Sequence, residues 1–206
     1  MKLSEYARRL NYPSRRLCLP PAILITDATR LPDPAKAARA LEPGSAILFR
    51  DYQSSSRQFE ARQIKLLCQQ MRLLLIIGEN PGLASEIGAD GLHLTESSAR
   101  TRGVSLAWKM RPSTLLTVAA HSPNALQIAA YIRADAALLS PLNPTASHSD
   151  SKGIGIQKFV CWNKHSPVPV YALGGVNASN AARLNHSGAI GIAGIDGWVD
   201  PEEHIT

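Results

Sequence analysis

The chain has 206 residues, 45% of them apolar and 18% charged, which suits a single domain with a sizeable core. No apolar run approaches the ~20 residues that a membrane span needs, and the first residues hold no apolar signal core, so a soluble cytoplasmic protein is expected. Cys18, Cys68 and Cys161 are odd in number, far apart and outside any CxxC pattern, which speaks against a disulfide framework or a zinc site and predicts reduced bystanders.

The formal charge of +6 is unevenly placed, because Lys2, Arg8, Arg9, Arg15 and Arg16 against Glu5 give the first 21 residues +4 of it. Only Tyr6 and Tyr12 supply aromatic rings there, and no nucleic-acid motif accompanies them. A solvated basic arm or a short helix ending at Pro13 is expected over 1–21, with one folded body over 22–206. Such an arm exerts at most a weak pull on anionic substrates. Neither nucleic acid nor membrane is an expected partner, and a homo-oligomer stays open.

Beyond the arm, apolar runs of strand length alternate with segments of helical period, the pattern of βα units. Strands are predicted at Ala22–Thr26, Ala46–Arg50, Leu73–Ile77, Gly91–Leu94, Leu115–Ala119, Ala136–Ser140, Val168–Leu173 and Ile190–Gly194. Their unbroken apolar character implies cover on both faces. Helices are clearest at Asp33–Leu41, Ser56–Met71, Pro123–Ile132 and Asn177–His186, and a short one is expected after Gly194. An internal echo supports the count: Gly88-Ala89-Asp90, Arg133-Ala134-Asp135 and Gly188-Ala189-Ile190 each join a helix to a strand. Gly88 and Gly188 suit a left-handed helix end, with the alanine packing behind it. Eight units in so short a chain favour a closed (β/α)8 TIM barrel of α/β class over an open doubly wound sheet, and no GxGxxG follows the first strand.

In such a barrel, polar residues at the carboxyl ends of strands face the site. That rule selects Thr26, Asp27, Arg50, Glu79, His93, His121 and Ser140, together with the polar loop Pro141–Lys152 that carries Thr145, Ser147 and His148. The last two strands end in Gly174-Gly175 and in Gly194-Ile195, the kind of cup that presents backbone N–H groups to a phosphate. Asp196 beside that cup is a repulsive neighbour for an anion unless its side chain turns away.

The strings ILITD (23–27), LFR (48–50), GADGLHL (88–94), AAHS (119–122), ADAALLSP (134–141), PT (144–145), VPVYALGGV (168–176) and GIAGI (191–195) are colinear across residues 22–199. In order and spacing they resemble thiamine phosphate synthase and its sister TenI, the thiazole tautomerase. The resemblance implies a (β/α)8 barrel holding a thiazole phosphate, with Gly174, Gly175, Gly194, Ile195, Arg50, Thr145, Ser147 and His148 as its binding residues.

The two sister activities ask for different residues. A synthase joins a pyrimidine diphosphate to the thiazole nitrogen, and its Arg-x-Lys pair falls here on Arg50 and Tyr52. Its Asn-Asp after strand three falls on Gly78 and Glu79, its next magnesium aspartate on Ser98, and its serine after strand five on Ala119. Only Glu79 would serve Mg2+, an ion that prefers carboxylate oxygens. A TenI-type tautomerase needs no metal cofactor and keeps a histidine after strand five, which matches His121. Imidazole can carry a proton between two ring positions near neutral pH, and Arg50 can pair with the thiazole's carboxylate.

From the resemblance, then, a tautomerase using His121 comes first, a magnesium-dependent synthase second and a non-catalytic thiazole phosphate or thiamine phosphate binder third. An unrelated phosphate-sugar barrel enzyme is a remoter fit. Plainer roles stand beside these: His121 as a loop stabiliser, His93 as a satisfied core residue, Asp27, Asp90 and Asp135 as turn residues, and His148 as an exposed loop side chain.

Overall fold

In a computed structural model, residues 1–12, 18–101, 108, 113–144 and 152–198 are described. Eight parallel strands, each hydrogen-bonded to the next, close into a barrel when β8 pairs with β1. They are β1 (Ala22–Ile25), β2 (Ala46–Phe49), β3 (Leu74–Gly78), β4 (Gly91–Leu94), β5 (Leu115–Ala120), β6 (Ala136–Leu139), β7 (Val170–Leu173) and β8 (Gly191–Gly194). All eight predicted strands are present, with ends displaced by at most two residues.

Alternation explains why the strands read as continuous apolar runs. Ile23, Ile25, Ala46, Leu48, Ile76, Ala136, Leu138, Tyr171 and Ala193 form one buried cluster, whereas Ala22, Leu24, Ile47, Phe49, Leu75 and Ile77 join a second one shared with the helices. Successive side chains point to opposite faces of a strand, and both faces here are covered. Close packing inside also fixes Gly191, since a Cβ there would stand 2.3 Å from the Pro21 carbonyl oxygen and 2.7 Å from the Tyr171 ring. Tyr171 donates to the Pro20 carbonyl at 2.6 Å, and burial pushes its phenol well above the ordinary range.

The helices are α1 (Leu3–Asn11), α2 (Pro34–Ala38), α3 (Arg57–Met71), α4 (Pro81–Glu86), α5 (Glu96–Ala99), α6 (Pro123–Tyr131) and α7 (Gly155–Lys164). Several starts at the carboxyl rim are capped by a short polar side chain: Asp33, Asn80, Thr95 and Ser122 each accept from an N–H of the first turn, with proline opening α2, α4 and α6. At the opposite end the internal echo is realised. Gly88, Arg133 and Gly188 all have positive φ, and Ala89, Ala134 and Ala189 pack behind them. Asp90 and Asp135 repeat one device, accepting from the N–H of Leu75 and of Leu116 at the start of the preceding strand, at 2.8 and 2.7 Å.

Two expectations change. The segment Asn177–His186 forms one 3₁₀ turn, Ala181–Leu184, because Asn177 and Asn180 bind nearby backbone N–H groups with their side chains and divert the chain from an α-helix. Of the two forms open to the N-terminal segment, the short helix is found and the solvated arm is not: Leu3, Ala7 and Asn11 are buried where α1 packs on β1 and β8, and Asn11 Nδ2 donates to the carbonyls of Leu19 and Ile190 at 3.2 and 3.0 Å. Its charges follow the helix dipole, with Glu5 in the first turn and Arg8 and Arg9 in the last. Pro13, Arg15 and Arg16 lie outside the described residues, and the helix expected after Gly194 does not start there, since residues 195–198 are bends and 199–206 lie outside the described residues.

All three cysteines are unpaired, and burial together with the Asp90 carboxylate pushes the Cys68 thiol up to about 12, which removes it from thiolate chemistry. Among the described residues no helix is long and apolar enough to cross a membrane.

Candidate functional site

A cleft of about 920 Å³ opens at the carboxyl ends of the strands. Its walls bring together Arg50, His121, Gly174, Gly175, Gly194 and Ile195, six of the residues that the sequence singles out. Thr145, Ser147 and His148 lie outside the described residues. Glu79 is not among the lining residues, and two that the sequence reading did not assign to the site, Arg30 and Glu96, are.

On the β7–β8 side the chain turns through glycines. Gly174 (φ 102°), Gly175 (φ 62°) and Gly197 (φ 85°) occupy the left-handed region, and a Cβ on Gly175 would meet the Pro144 carbonyl oxygen and the Asn143 side chain at 2.8 Å. The Gly175 carbonyl accepts from the amides of Asn143 and Asn180 at 3.0 and 2.8 Å, which fixes the turn. Among the described residues nothing accepts from the N–H groups of Gly175, Val176, Ile195 or Gly197. Four such donors along one wall suit an anion.

His121 stands between β5 and α6. Ser122 caps α6 and Pro123 opens it, so the residue before them is held at the rim, exposed on the cleft. Its Nδ1 lies 2.9 Å from the Ser140 carbonyl oxygen and 3.3 Å from the Ser140 hydroxyl. A carbonyl only accepts, so Nδ1 carries the hydrogen and the basic nitrogen of the neutral ring is Nε2. Ser140 itself is buried and serves as this support.

Deeper, His93 is buried against Thr117, with Nδ1 2.9 Å from the threonine hydroxyl. Burial pulls its pKa down to about 4; the nearby Glu79 opposes that and Arg50 adds to it. The ring is neutral at physiological pH and forms part of the cleft floor, in keeping with its plain role in the core.

The β2–β4 side is bonded within itself. Arg50 meets Asp27 at 3.4 Å, while the other carboxylate oxygen of Asp27 accepts from the N–H groups of Thr29 and Arg30, as a turn residue does. Thr26 is buried, donating to Asp51 and accepting from the Arg50 N–H, and so braces the strand end rather than facing a ligand. Tyr52 covers Gly78, whose added Cβ would come within 2.9 Å of the phenol, and Arg57 lies over the Tyr52 ring at 5.3 Å while donating to the Gly78 carbonyl. Desolvation raises the Tyr52 pKa, with Arg50 opposing it.

Glu79 accepts from the Thr95 N–H with one oxygen and from the Ser98 hydroxyl, at 2.5 Å, with the other. One carboxylate already engaged at both oxygens, with a serine as its neighbour, does not make a magnesium site. Among the described residues no group of three or more His, Cys, Asp or Glu could hold a metal ion.

Fold and cleft define a (β/α)8 barrel with its site at the carboxyl rim, a class that hosts many chemistries. Residues 22–197 match the thiamine monophosphate synthase family. The chain is 33% identical over 186 residues to a thiamine-phosphate synthase of Alcanivorax borkumensis, covering 82% of this chain and 80% of that one. It is 31% identical over 140 residues to the putative thiamine-phosphate synthase 2 of Aquifex aeolicus, covering 68% and 74%. The thiamine phosphate pyrophosphorylase of Pyrococcus furiosus superposes with a TM-score of 0.70 at 25% identity, over 87% of this chain and 86% of that one. The chain therefore belongs to the thiamine monophosphate synthase family. These relatives bear the names of the synthase, the second of the two enzyme activities weighed from the sequence, and so favour it over the tautomerase.

Proposed function

We propose that this chain is an enzyme of thiamine biosynthesis that binds a thiazole phosphate in the rim cleft and joins it to a pyrimidine diphosphate. The ring nitrogen of the thiazole attacks the methylene carbon of the pyrimidine, and diphosphate leaves. The family match across the whole barrel, together with relatives named as synthases, carries this reading. The glycine turns of β7 and β8 would hold the phosphate and Arg50 would meet the departing diphosphate, a reading supported by their positions on the cleft wall. Any magnesium would have to arrive on the substrate's own diphosphate.

A second reading, the tautomerase, is favoured by one observation: the support of His121 by Ser140, which makes Nε2 the ring's proton acceptor. In that reaction Nε2 takes a proton from one position of the bound thiazole and returns it to another, with no net change in composition. A silent binder of thiazole phosphate is the third.

Incubating the purified protein with thiazole phosphate, pyrimidine diphosphate and magnesium, and following diphosphate release, separates them. Release that needs all three components is expected. No release, with absorbance changes on adding the carboxythiazole tautomer that vanish in His121→Asn, would replace the synthase by the tautomerase. Binding with neither turnover would leave the third.

A further inference from the structure

Asp196 sits where an anion is expected to bind, and it is not alone. Its carboxylate pairs with the guanidinium of Arg30, which comes from the β1–α2 loop, 166 residues away in sequence. Both side chains line the cleft beside Gly175, Val176, Ile195 and Gly197, and both also border a second cavity of about 250 Å³ under Trp198. The arginine is three-quarters covered, while the aspartate is more than half exposed, so the two are held unequally. The cation is the more covered partner and the carboxylate the more exposed one.

An acidic side chain on a wall with four open N–H groups repels an incoming phosphate, yet it also holds the guanidinium of Arg30 in place before a ligand arrives. A phosphate carries more charge than a carboxylate and offers a guanidinium two oxygens at once. We infer that Arg30 is the side-chain cation of the phosphate cup and that Asp196 is its internal placeholder, displaced from Arg30 when the ligand's phosphate binds. The exchange breaks one ion pair and makes another, and no covalent bond changes. This inference takes from the proposed function only that an anion occupies the β7–β8 turns; the choice between synthase and tautomerase does not affect it.

The test uses inorganic phosphate and thiazole phosphate as separate probes, titrated calorimetrically into the wild type, Arg30→Gln, Asp196→Asn and the double variant. Loss of a charge-assisted contact of about 1.5–3 kcal/mol corresponds to a weakening of roughly ten- to a hundredfold in Arg30→Gln, for both probes. Removing the competing carboxylate in Asp196→Asn tightens both, and that gain disappears once Arg30 is Gln, because the two residues act through one contact. Arg30→Lys, which keeps the charge, recovers part of the affinity and guards against a simple folding defect.

Weaker binding in Asp196→Asn, or Arg30→Gln and wild type agreeing within twofold on inorganic phosphate, would overturn the exchange. Phosphate binding that follows the variants while thiazole phosphate fails to bind would uphold the exchange and reject the thiazole as the ligand.

Discussion

The two halves of the rim are built on opposite principles. From β2 to β4 the polar groups satisfy one another: Arg50 with Asp27, Thr26 with Asp51, Glu79 with Thr95 and Ser98, and Arg57 with the Gly78 carbonyl under the Tyr52 ring. On the β7–β8 side the backbone turns through positive-φ glycines, and the N–H groups of Gly175, Val176, Ile195 and Gly197 have no acceptor among the described residues. Several backbone donors open along one concave wall suit an anion, so this wall is set for a ligand. The difference teaches that the end proposed to take the phosphate keeps donors open, whereas the end where a synthase would grip diphosphate has largely turned inward upon itself.

Substitution on the glycine side tests the contrast hardest. Gly175→Ala puts a side chain at φ 62° and a Cβ 2.8 Å from the Pro144 carbonyl oxygen, costing about 3 kcal/mol in strain and overpacking. Where that falls on the turn, thiazole phosphate affinity drops roughly a hundredfold. Calorimetry showing affinity within threefold of wild type would make the two halves equivalent.

Between the halves, His93 makes stability depend on pH. The unfolded imidazole titrates near 6.5 and the folded one near 4, so in that interval the unfolded chain binds more protons and stability falls as the pH is lowered. The slope is roughly 1 kcal/mol per pH unit. Urea unfolding between pH 4 and 7 checks it, and His93→Gln flattens the profile; identical slopes in the two proteins would mean that the ring is not held neutral by burial.

The smallest effect is expected on the self-bonded side. Glu79→Gln weakens the charge-assisted bonds to Thr95 and Ser98, at a cost of about 1–2 kcal/mol in stability, yet leaves thiazole phosphate affinity unchanged. A tenfold loss of affinity would place Glu79 in the binding site after all.

The fold was legible because its signal is local and repeated. Continuous runs such as Ala46–Phe49 and Ala136–Leu139 can only be strands covered on both faces, and the Gly88, Arg133 and Gly188 joints recur with the βα period. The short helices α4 and α5 span six and four residues, too few for a periodic apolar stripe, and are set instead by Asn80, Pro81 and Thr95. The 3₁₀ turn at Ala181–Leu184 escaped because Asn177 and Asn180 act through side-chain bonds that apolar periodicity does not register. At the site, Gly174, Gly175 and His121 were readable from strand ends alone. The Arg30–Asp196 pair was not, since nothing local to either residue announces a partner that only barrel closure between β1 and β8 brings near.

Backbone amide NMR during titration with thiazole phosphate is the most direct test of the contrast between the two halves. The N–H signals of Gly175, Val176, Ile195 and Gly197 should move downfield together and saturate at one affinity, while those of Tyr52, Glu79 and Thr95 stay in place. Saturating shifts centred on Tyr52 and Glu79, with the β7–β8 amides unmoved, would contradict it.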